Sequence, residues 1–302
     1  MSRSSPRALL RVVAGATAVV ALSGVAKTAT AEAHAGTAGQ TVSLGKSNGL
    51  EYMRAKLANV VSQAGAPANC DGDAEVTGGG GSIAGPGADV TLNATFPLTG
   101  PASGWQAEGT TTQGAAQTVT SFAVCGGLDV SVVTTQSPLG TNTVLHALRT
   151  CAGDTQPLGG GGRATGAGIL LVGSRAVLPP STTGWGPIAY NRTQSDTLFD
   201  SHAVCGEGYT VRYRESERIK LPVGDAVKAV AQCKPAEAVL GGGFFAEKQG
   251  SVGHRASALA TKPWDSKADA KKVPDDGWLA RAQNLETYRV NLVAQAVCRR
   301  PA

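Results

Sequence analysis

Alternation of apolar and polar residues, which is typical of β-strands, dominates the middle of the chain. Short β-branched stretches are separated by clusters of Gly, Pro, Ser and Thr, as expected for strands joined by turns. They lie at residues 128–136, 142–148, 168–178, 201–205 and 209–216. One stretch differs, because its apolar residues recur at helical spacing: Leu50, Met53, Leu57, Val60 and Val61. This spacing predicts a short helix at about 50–62.

A pattern of Cys, Gly and Trp occurs three times and sets the domain organisation. A Cys is followed eight positions later by a glycine run, then by a Gly-Trp pair, and twenty positions after the Trp by a second Cys. The pattern is C-x7-G-G-G…G-W-x17-A-V-C, and its fixed spacings indicate internal repetition. The repeats span residues 42–126, 127–206 and 207–299, and the third contains a loop insertion at about 262–277.

The strand signals in every repeat predict an all-β protein. Two architectures fit three repeats of similar length. One is a pseudo-threefold, β-prism-like body with one sheet per repeat, and the other is three small β-sandwich modules in tandem. The segments that link the repeats contain strands of their own, which slightly favours a single compact assembly.

The N-terminus has the features of a secretory signal peptide at residues 1–35. Three arginines precede an apolar stretch at residues 12–25, and cleavage is expected after Ala31 or Ala35. A membrane-anchored N-terminus is the alternative, but the apolar stretch is shorter than the ~20 residues of a membrane-spanning helix. No membrane span is therefore predicted, and the mature chain is expected outside the cell, either free or associated with the cell wall.

The six Cys all lie in the mature part of the chain. An even number in a secreted protein predicts disulfides, and no pair has the short spacing that is typical of a zinc site. A shifted pairing between neighbouring repeats would need a closed ring that brings the chain ends together. We therefore favour one disulfide within each repeat: Cys70–Cys125, Cys151–Cys205 and Cys233–Cys298.

The glycine runs and the tryptophans suggest different roles. The glycine runs lack the context of a phosphate-binding loop and predict a bulge or a close approach of strands. Trp105, Trp185 and Trp278 are either the large core residue of each repeat or three sugar-stacking platforms, and their fixed spacing to Cys favours the core. Trp264 has no counterpart in the other repeats and lies in the charged insertion. It is the stronger candidate for ligand binding, with a packed loop anchor as the alternative.

Charge and catalytic motifs exclude several functions. The full chain has a net charge of +5, and removal of the signal peptide leaves 23 basic and 21 acidic residues, or +2. Such a charge is too weak for a dedicated nucleic-acid binder, and it does not imply a polyanion partner. His34 is lost with the signal peptide, and His146, His202 and His254 belong to no recognised catalytic motif. We therefore predict no catalytic residue, no metal site and no cofactor.

The repeat resembles modules that are common in secreted proteins of actinobacteria, where the C-x7-G-G-G…P…G-W…A-V-C pattern often occurs in tandem. The resemblance covers nearly all of the mature chain and implies an extracellular β-rich module without known catalytic residues. We expect a non-enzymatic, lectin-like binding or adhesive protein that recognises cell-surface glycans. A structural or inhibitory component of an extracellular protein complex is the alternative, and an enzyme with an unrecognised site is a second one.

Overall fold

Every regular element among the described residues is a β-strand, as the alternating pattern predicted. The computed structural model describes residues 39–85, 90–100, 102–111, 116–127, 129–164, 166, 168–178, 183–208, 210–266 and 272–300. The predicted signal peptide at residues 1–35 lies outside these residues. The strands are, in chain order, β1 (Val42–Ser47), β2 (Leu50–Val60), β3 (Pro67–Asn69), β4 (Glu75–Ala84), β5 (Val90–Leu98), β6 (Gly104–Thr111), β7 (Gln117–Gly126), β8 (Val130–Leu139), β9 (Val144–His146), β10 (Arg149–Thr150), β11 (Gln156–Ala164), β12 (Ile169–Val177), β13 (Gly184–Asn191), β14 (Thr197–Gly206), β15 (Val211–Glu215), β16 (Ile219–Leu221), β17 (Ala226–Gln232), β18 (Ala238–Lys248), β19 (Ser251–Val252), β20 (Ala256–Trp264), β21 (Gly277–Asn284) and β22 (Val290–Arg299).

The predicted helix at about 50–62 is wrong, because this segment forms β2. Its buried residues fall on both faces of the strand, with Met53 on one face and Tyr52 on the other. A strand that is covered on both faces loses the simple alternation of buried and exposed residues. A register shift between Leu57 and Val60 disturbs the alternation further. Together these effects produce an apparent helical spacing.

The strands form three sheets, and each sheet is shared by two repeats. Sheet A has the order β1-β2-β7-β4-β20-β21-β17, and sheet B has the order β3-β6-β5-β11-β14-β8. Sheet C has the order β10-β13-β12-β18-β22-β15, with β9, β16 and β19 paired at its sides. Repeats 1 and 3 share sheet A, repeats 1 and 2 share sheet B, and repeats 2 and 3 share sheet C. The prediction of one sheet per repeat is therefore wrong, and main-chain pairing joins the repeats in a closed pseudo-threefold body.

Each repeat nevertheless has the internal order of a small β-sandwich. In repeat 1, the half-sheet β2-β7-β4 packs against the half-sheet β3-β6-β5. Repeat 2 uses β8-β14-β11 and β10-β13-β12 in the same way, and repeat 3 uses β15-β22-β18 and β17-β21-β20. The two predicted architectures are thus combined, because three sandwiches are fused edge to edge into one body.

The glycine runs lie where the three repeats meet. A register shift precedes the first glycine of each run. A Cβ atom on Gly78 would lie 2.6 Å from the Cα of Gly241, and one on Gly159 would lie 2.9 Å from the Cα of Gly78. Any side chain at these positions would push the repeats apart. The predicted bulge and close approach of strands are therefore confirmed.

Candidate functional site

Each predicted within-repeat disulfide is present. The Cα atoms are 5.6 Å apart in all three pairs: Cys70–Cys125, Cys151–Cys205 and Cys233–Cys298. Among the described residues, one group has the spacing of a metal site, and it consists of Cys233, Glu237 and Cys298. Both of its sulfurs are held in a disulfide and offer no thiolate to a metal. The three disulfides indicate an oxidising, extracellular setting for the folded chain.

The three repeated tryptophans belong to the core. Each is fully buried, and each indole packs against the second glycine of the glycine run in its own repeat. The alternative that these rings are ligand-stacking platforms is wrong, because a ring with no exposed surface offers no face to a ligand. Each indole N–H donates a hydrogen bond to a buried hydroxyl: Trp105 to Thr95 (2.5 Å), Trp185 to Ser174 (2.7 Å) and Trp278 to Thr261 (2.8 Å).

Trp264 has a different environment. It is the last residue of β20, lies opposite Gly277 on β21, and is partly exposed. Successive side chains of a strand point to opposite faces, so Trp264 lies on the face opposite to Pro263, which is buried beside the core residue Trp278. Two adjoining cavities, of about 650 Å³ and about 310 Å³, share Trp264 as a lining residue.

We call the larger cavity the Trp264 cleft and the smaller one the basic groove. The Trp264 cleft is lined by Ser47, Asn48, Gln232, Cys233, Lys234, Pro235, Ala236, Glu237, Trp264, Ser266, Asp275 and Asp276. The basic groove is lined by Leu44, Arg54, Phe122, Lys262, Pro263, Trp264, Asp265, Lys272, Pro274 and Leu279. Both cavities therefore combine residues of repeat 1 with residues of the insertion in repeat 3.

Two departures from the threefold plan meet at these cavities. Strand β1 adds a seventh strand to sheet A and has no equivalent on the main path of sheets B and C. The insertion at about 262–277 occurs in repeat 3 alone, and its residues 267–271 lie outside the described residues. The two additions touch, since a Cβ atom on Gly45 of β1 would lie 2.7 Å from the Cγ2 of Val273.

Carboxylates line one side of the Trp264 cleft. Asp275 is 6% exposed, and its Oδ1 atom is buried without a hydrogen-bond partner in the described part of the chain. The neighbouring Asp276 accepts a hydrogen bond from the Ser266 backbone N–H at 2.8 Å. Burial, and then the charges of Asp275 and Asp276, raise the pKa of Tyr52 well above its usual range. The Tyr52 hydroxyl therefore stays protonated and donates to the Val239 carbonyl at 2.9 Å. A buried carboxylate oxygen without a partner is energetically costly.

Two histidines lie beside charged groups but away from these cavities. Burial is the main cause that lowers the pKa of His202, to about 4. His254 lies 4.0 Å from a carboxylate oxygen of Glu286, but Glu286 also accepts two hydrogen bonds from the Arg255 guanidinium, at 2.8 and 3.2 Å. Burial acts to raise the pKa of Glu286, but the Arg255 hydrogen bonds and charge outweigh it and lower that pKa. The Glu286 carboxylate is thus an ionised partner of Arg255.

Sequence reasoning selected Trp264 as a candidate because this residue breaks the repeat, and it did not select Asp275 or β1. Comparison with known proteins adds no family to this picture. No family model matches the chain, and no curated protein matches it. Among the described residues, no helix is long and apolar enough to cross a bilayer. The site geometry is therefore the main guide to function.

Proposed function

We propose that the protein is a secreted, non-enzymatic binding protein that recognises a carbohydrate in the Trp264 cleft. One observation carries this proposal: both departures from the threefold plan, β1 and the repeat-3 insertion, meet around this cleft. Elements added to one copy of a repeat are free of the demands of the shared core, and binding residues concentrate on such additions. The size of the cleft, about 650 Å³, is suited to a ligand of a few sugar rings.

The chemistry of the cleft matches a sugar. The C–H face of a sugar ring packs on an aromatic ring, and Trp264 offers a partly exposed ring. Sugar hydroxyls donate to carboxylates, and Asp275 and Asp276 both line the cleft. Asn48 and Gln232 add amide groups that both donate and accept hydrogen bonds. An aromatic face with a few fixed polar groups is the usual composition of a small-molecule site.

The test is a glycan array followed by titration of the best ligands. Trp264 is the partly exposed tryptophan of the described chain, so its fluorescence should shift on binding while the three buried rings stay silent. In calorimetric titration, which does not need the Trp264 ring as reporter, the Trp264→Ala variant should bind at least about thirtyfold more weakly, because truncation of an aromatic anchor costs roughly 2 kcal/mol or more. Trp264→Phe should keep part of the affinity.

Leu198→Ala provides the matched control, because Leu198 is a large apolar residue on sheet B that is 51% exposed. It should bind like the unsubstituted protein. Binding that survives Trp264→Ala, or an array without any bound glycan, would refute the proposal. Capture of a protein that free sugars do not displace would instead favour a component of an extracellular protein complex.

A further inference from the structure

Two cations and an aromatic ring face each other in the basic groove. Arg54 on β2 pairs directly with Phe122 on β7, and the Lys262 ammonium lies 5.1 Å from the centre of the Phe122 ring. Lys262 precedes Trp264 by two residues on β20, so both side chains point to the same face of sheet A. Lys272 of the insertion also lines the groove. Asp265 is the one acidic residue among the described lining residues, which leaves an excess of positive charge.

These cations have no carboxylate partner in the described part of the chain. No salt bridge there includes Arg54, Lys56 or Lys262. The Nε of Arg54 is buried without a hydrogen-bond partner. Burial, and then the charges of Arg54 and Lys56, lower the pKa of Lys262. Desolvated cations that repel one another are costly unless an anion joins them.

The other two sheets provide an internal comparison, because each of their junctions also contains a partly exposed cation. In sheet B, Arg163 forms a salt bridge of 3.1 Å with Glu108. In sheet C, burial lowers the pKa of Arg175, while the carboxylates of Glu215 and Glu247 act to raise it. Carboxylates thus accompany the cation in both of these junctions. Among the described residues, the junction of repeats 1 and 3 is the one where two cations meet without such a partner.

The register of the strands shows where the difference arises. Arg54 is paired with the residue three positions before the second Cys of its repeat. The residue equivalent to Arg54, which pairs with this same position before the second Cys, is Thr134 in repeat 2 and Glu215 in repeat 3. The equivalent residue is therefore neutral in repeat 2, acidic in repeat 3 and a cation in repeat 1. The excess charge therefore lies beside the β1 addition and the insertion and is absent from the equivalent positions.

We propose that the basic groove binds a carboxylate or sulfate group carried by the glycan that occupies the Trp264 cleft, so that the ligand is an acidic polysaccharide. This inference rests on the proposed function, because Trp264 forms a wall of both cavities. A sugar ring on Trp264 would place an acidic substituent within reach of Lys262 and Arg54. The guanidinium binds such a group through two parallel hydrogen bonds, and the ammonium adds a point charge.

The first test compares polymers that differ in charge alone. Polygalacturonate is compared with its methyl ester, and dextran sulfate with dextran, by following Trp264 fluorescence at low salt. We expect the charged member of at least one pair to bind about tenfold more tightly, and we expect salt to reduce the difference. A preference within one pair identifies the group as a carboxylate or a sulfate. Equal affinity within both pairs overturns the inference.

Variants assign the preference to the groove. Arg54→Gln and Lys262→Met should abolish the preference for the charged polymer and leave binding to neutral glycans unchanged. Lys220→Gln, an exposed lysine on β16 of sheet C, makes the same change of charge elsewhere and should keep the preference. Retention of the preference in both groove variants overturns the inference.

Inorganic sulfate separates this inference from the proposed function. Millimolar sulfate should slow the acetylation of Lys262 severalfold, measured by mass spectrometry of peptides, and should not slow that of Lys220. Equal rates with and without sulfate count against an anion site. If the protein binds glycans but shows neither a preference for charged polymers nor protection of Lys262 by sulfate, the anion site alone is refuted. If sulfate protects Lys262 but no glycan on the array binds, the proposed function is refuted, and so is the acidic polysaccharide as the ligand.

Discussion

Replacing His202 by Gln should change how stability depends on pH, because His202 is a buried base. Its side chain is 9% exposed, and its Nδ1 lies 2.9 Å from the hydroxyl of Thr134. Its Nε2 is buried and has no hydrogen-bond partner among the described residues. Burial lowers the pKa of His202 from 6.5 to about 4, and the charge of Asp200 opposes this while Arg149 and Arg163 add to it.

The sign and size of the effect follow from these two pKa values. The unfolded chain takes up a proton on His202 near pH 6.5, whereas the folded protein resists protonation until about pH 4. The contribution of His202 to the free energy of unfolding should be highest above pH 6.5, fall as the pH is lowered through this window, and level off below about pH 4. Each pH unit between the two values is worth about 1.4 kcal/mol, so the total loss from this residue approaches about 3 kcal/mol.

Urea denaturation at a series of pH values, followed by tryptophan fluorescence, measures this loss. The H202Q variant carries the residue found at the equivalent position of repeat 3, which is Gln295. It should lose much less stability than the unsubstituted protein between about pH 6.5 and about pH 5, where few carboxylates titrate. Parallel stability curves for the two proteins would refute the reasoning, and so would an NMR titration of His202 with a midpoint near pH 6.5.

Two further substitutions test the threefold core. Thr261→Val removes the acceptor of the Trp278 N–H, so the free energy of unfolding should fall by about 1–3 kcal/mol in urea denaturation; an unchanged value would contradict the role of this bond. Gly241→Ala would place a Cβ atom 2.3 Å from the Leu158 carbonyl oxygen and should cost at least about 1–3 kcal/mol. Gly127→Ala, where a Cβ atom would meet open space, is its control, and equal melting temperatures for the two glycine variants would contradict the packing argument.

The repeat pattern was sufficient to predict the disulfides, because its spacings leave few ways to pair six Cys. It also predicted the buried state of Trp105 and its equivalents, since a large residue at a fixed distance from a disulfide belongs to a core. The glycine runs were correctly read as sites of close approach. These features depend on residues near one another in the sequence or on spacings that recur in every repeat.

Features that depend on contacts between repeats were not predictable in the same way. The apolar pattern of β2 was misread because an element from another repeat covers its outer face, where Tyr52 donates to Val239. The sharing of sheets rests on short pairings such as Thr261 with Gly81, which leave no periodic signal. The basic groove combines residues of β2, β7 and β20, which are far apart in the chain. A near-neutral total charge gave no sign of it, because that total does not show where the charges lie.

A cation over an aromatic ring of the neighbouring repeat occurs at all three junctions. The distances to the ring centres are 5.2 Å for Arg163 and Phe96, 4.7 Å for Arg175 and Phe245, and 5.1 Å for Lys262 and Phe122. In sheets A and C the cation is the next residue in the sequence after the hydroxyl residue that accepts the Trp N–H. In sheet B the next residue after that hydroxyl residue is Phe96, and the cation, Arg163, lies on β11, which contains the glycine run. The contact persists although its partners change places between sheets B and C and the ring in sheet A comes from β7, which indicates that it helps to join the repeats, at roughly 0.5–2 kcal/mol for each junction.

Lys262 therefore has two roles, whereas Arg54 has one. Lys262 holds repeat 3 against Phe122 of repeat 1 and also supplies charge to the basic groove. Arg54 lies across from Phe122 within repeat 1, and no cation–π contact is assigned to it in the described residues. Loss of Lys262 should lower both the stability and the anion preference, while loss of Arg54 should lower the preference alone. The Arg54→Gln variant is for this reason the cleaner probe of the groove, and a destabilised Arg54→Gln protein would show that the two roles have been assigned to the wrong residues.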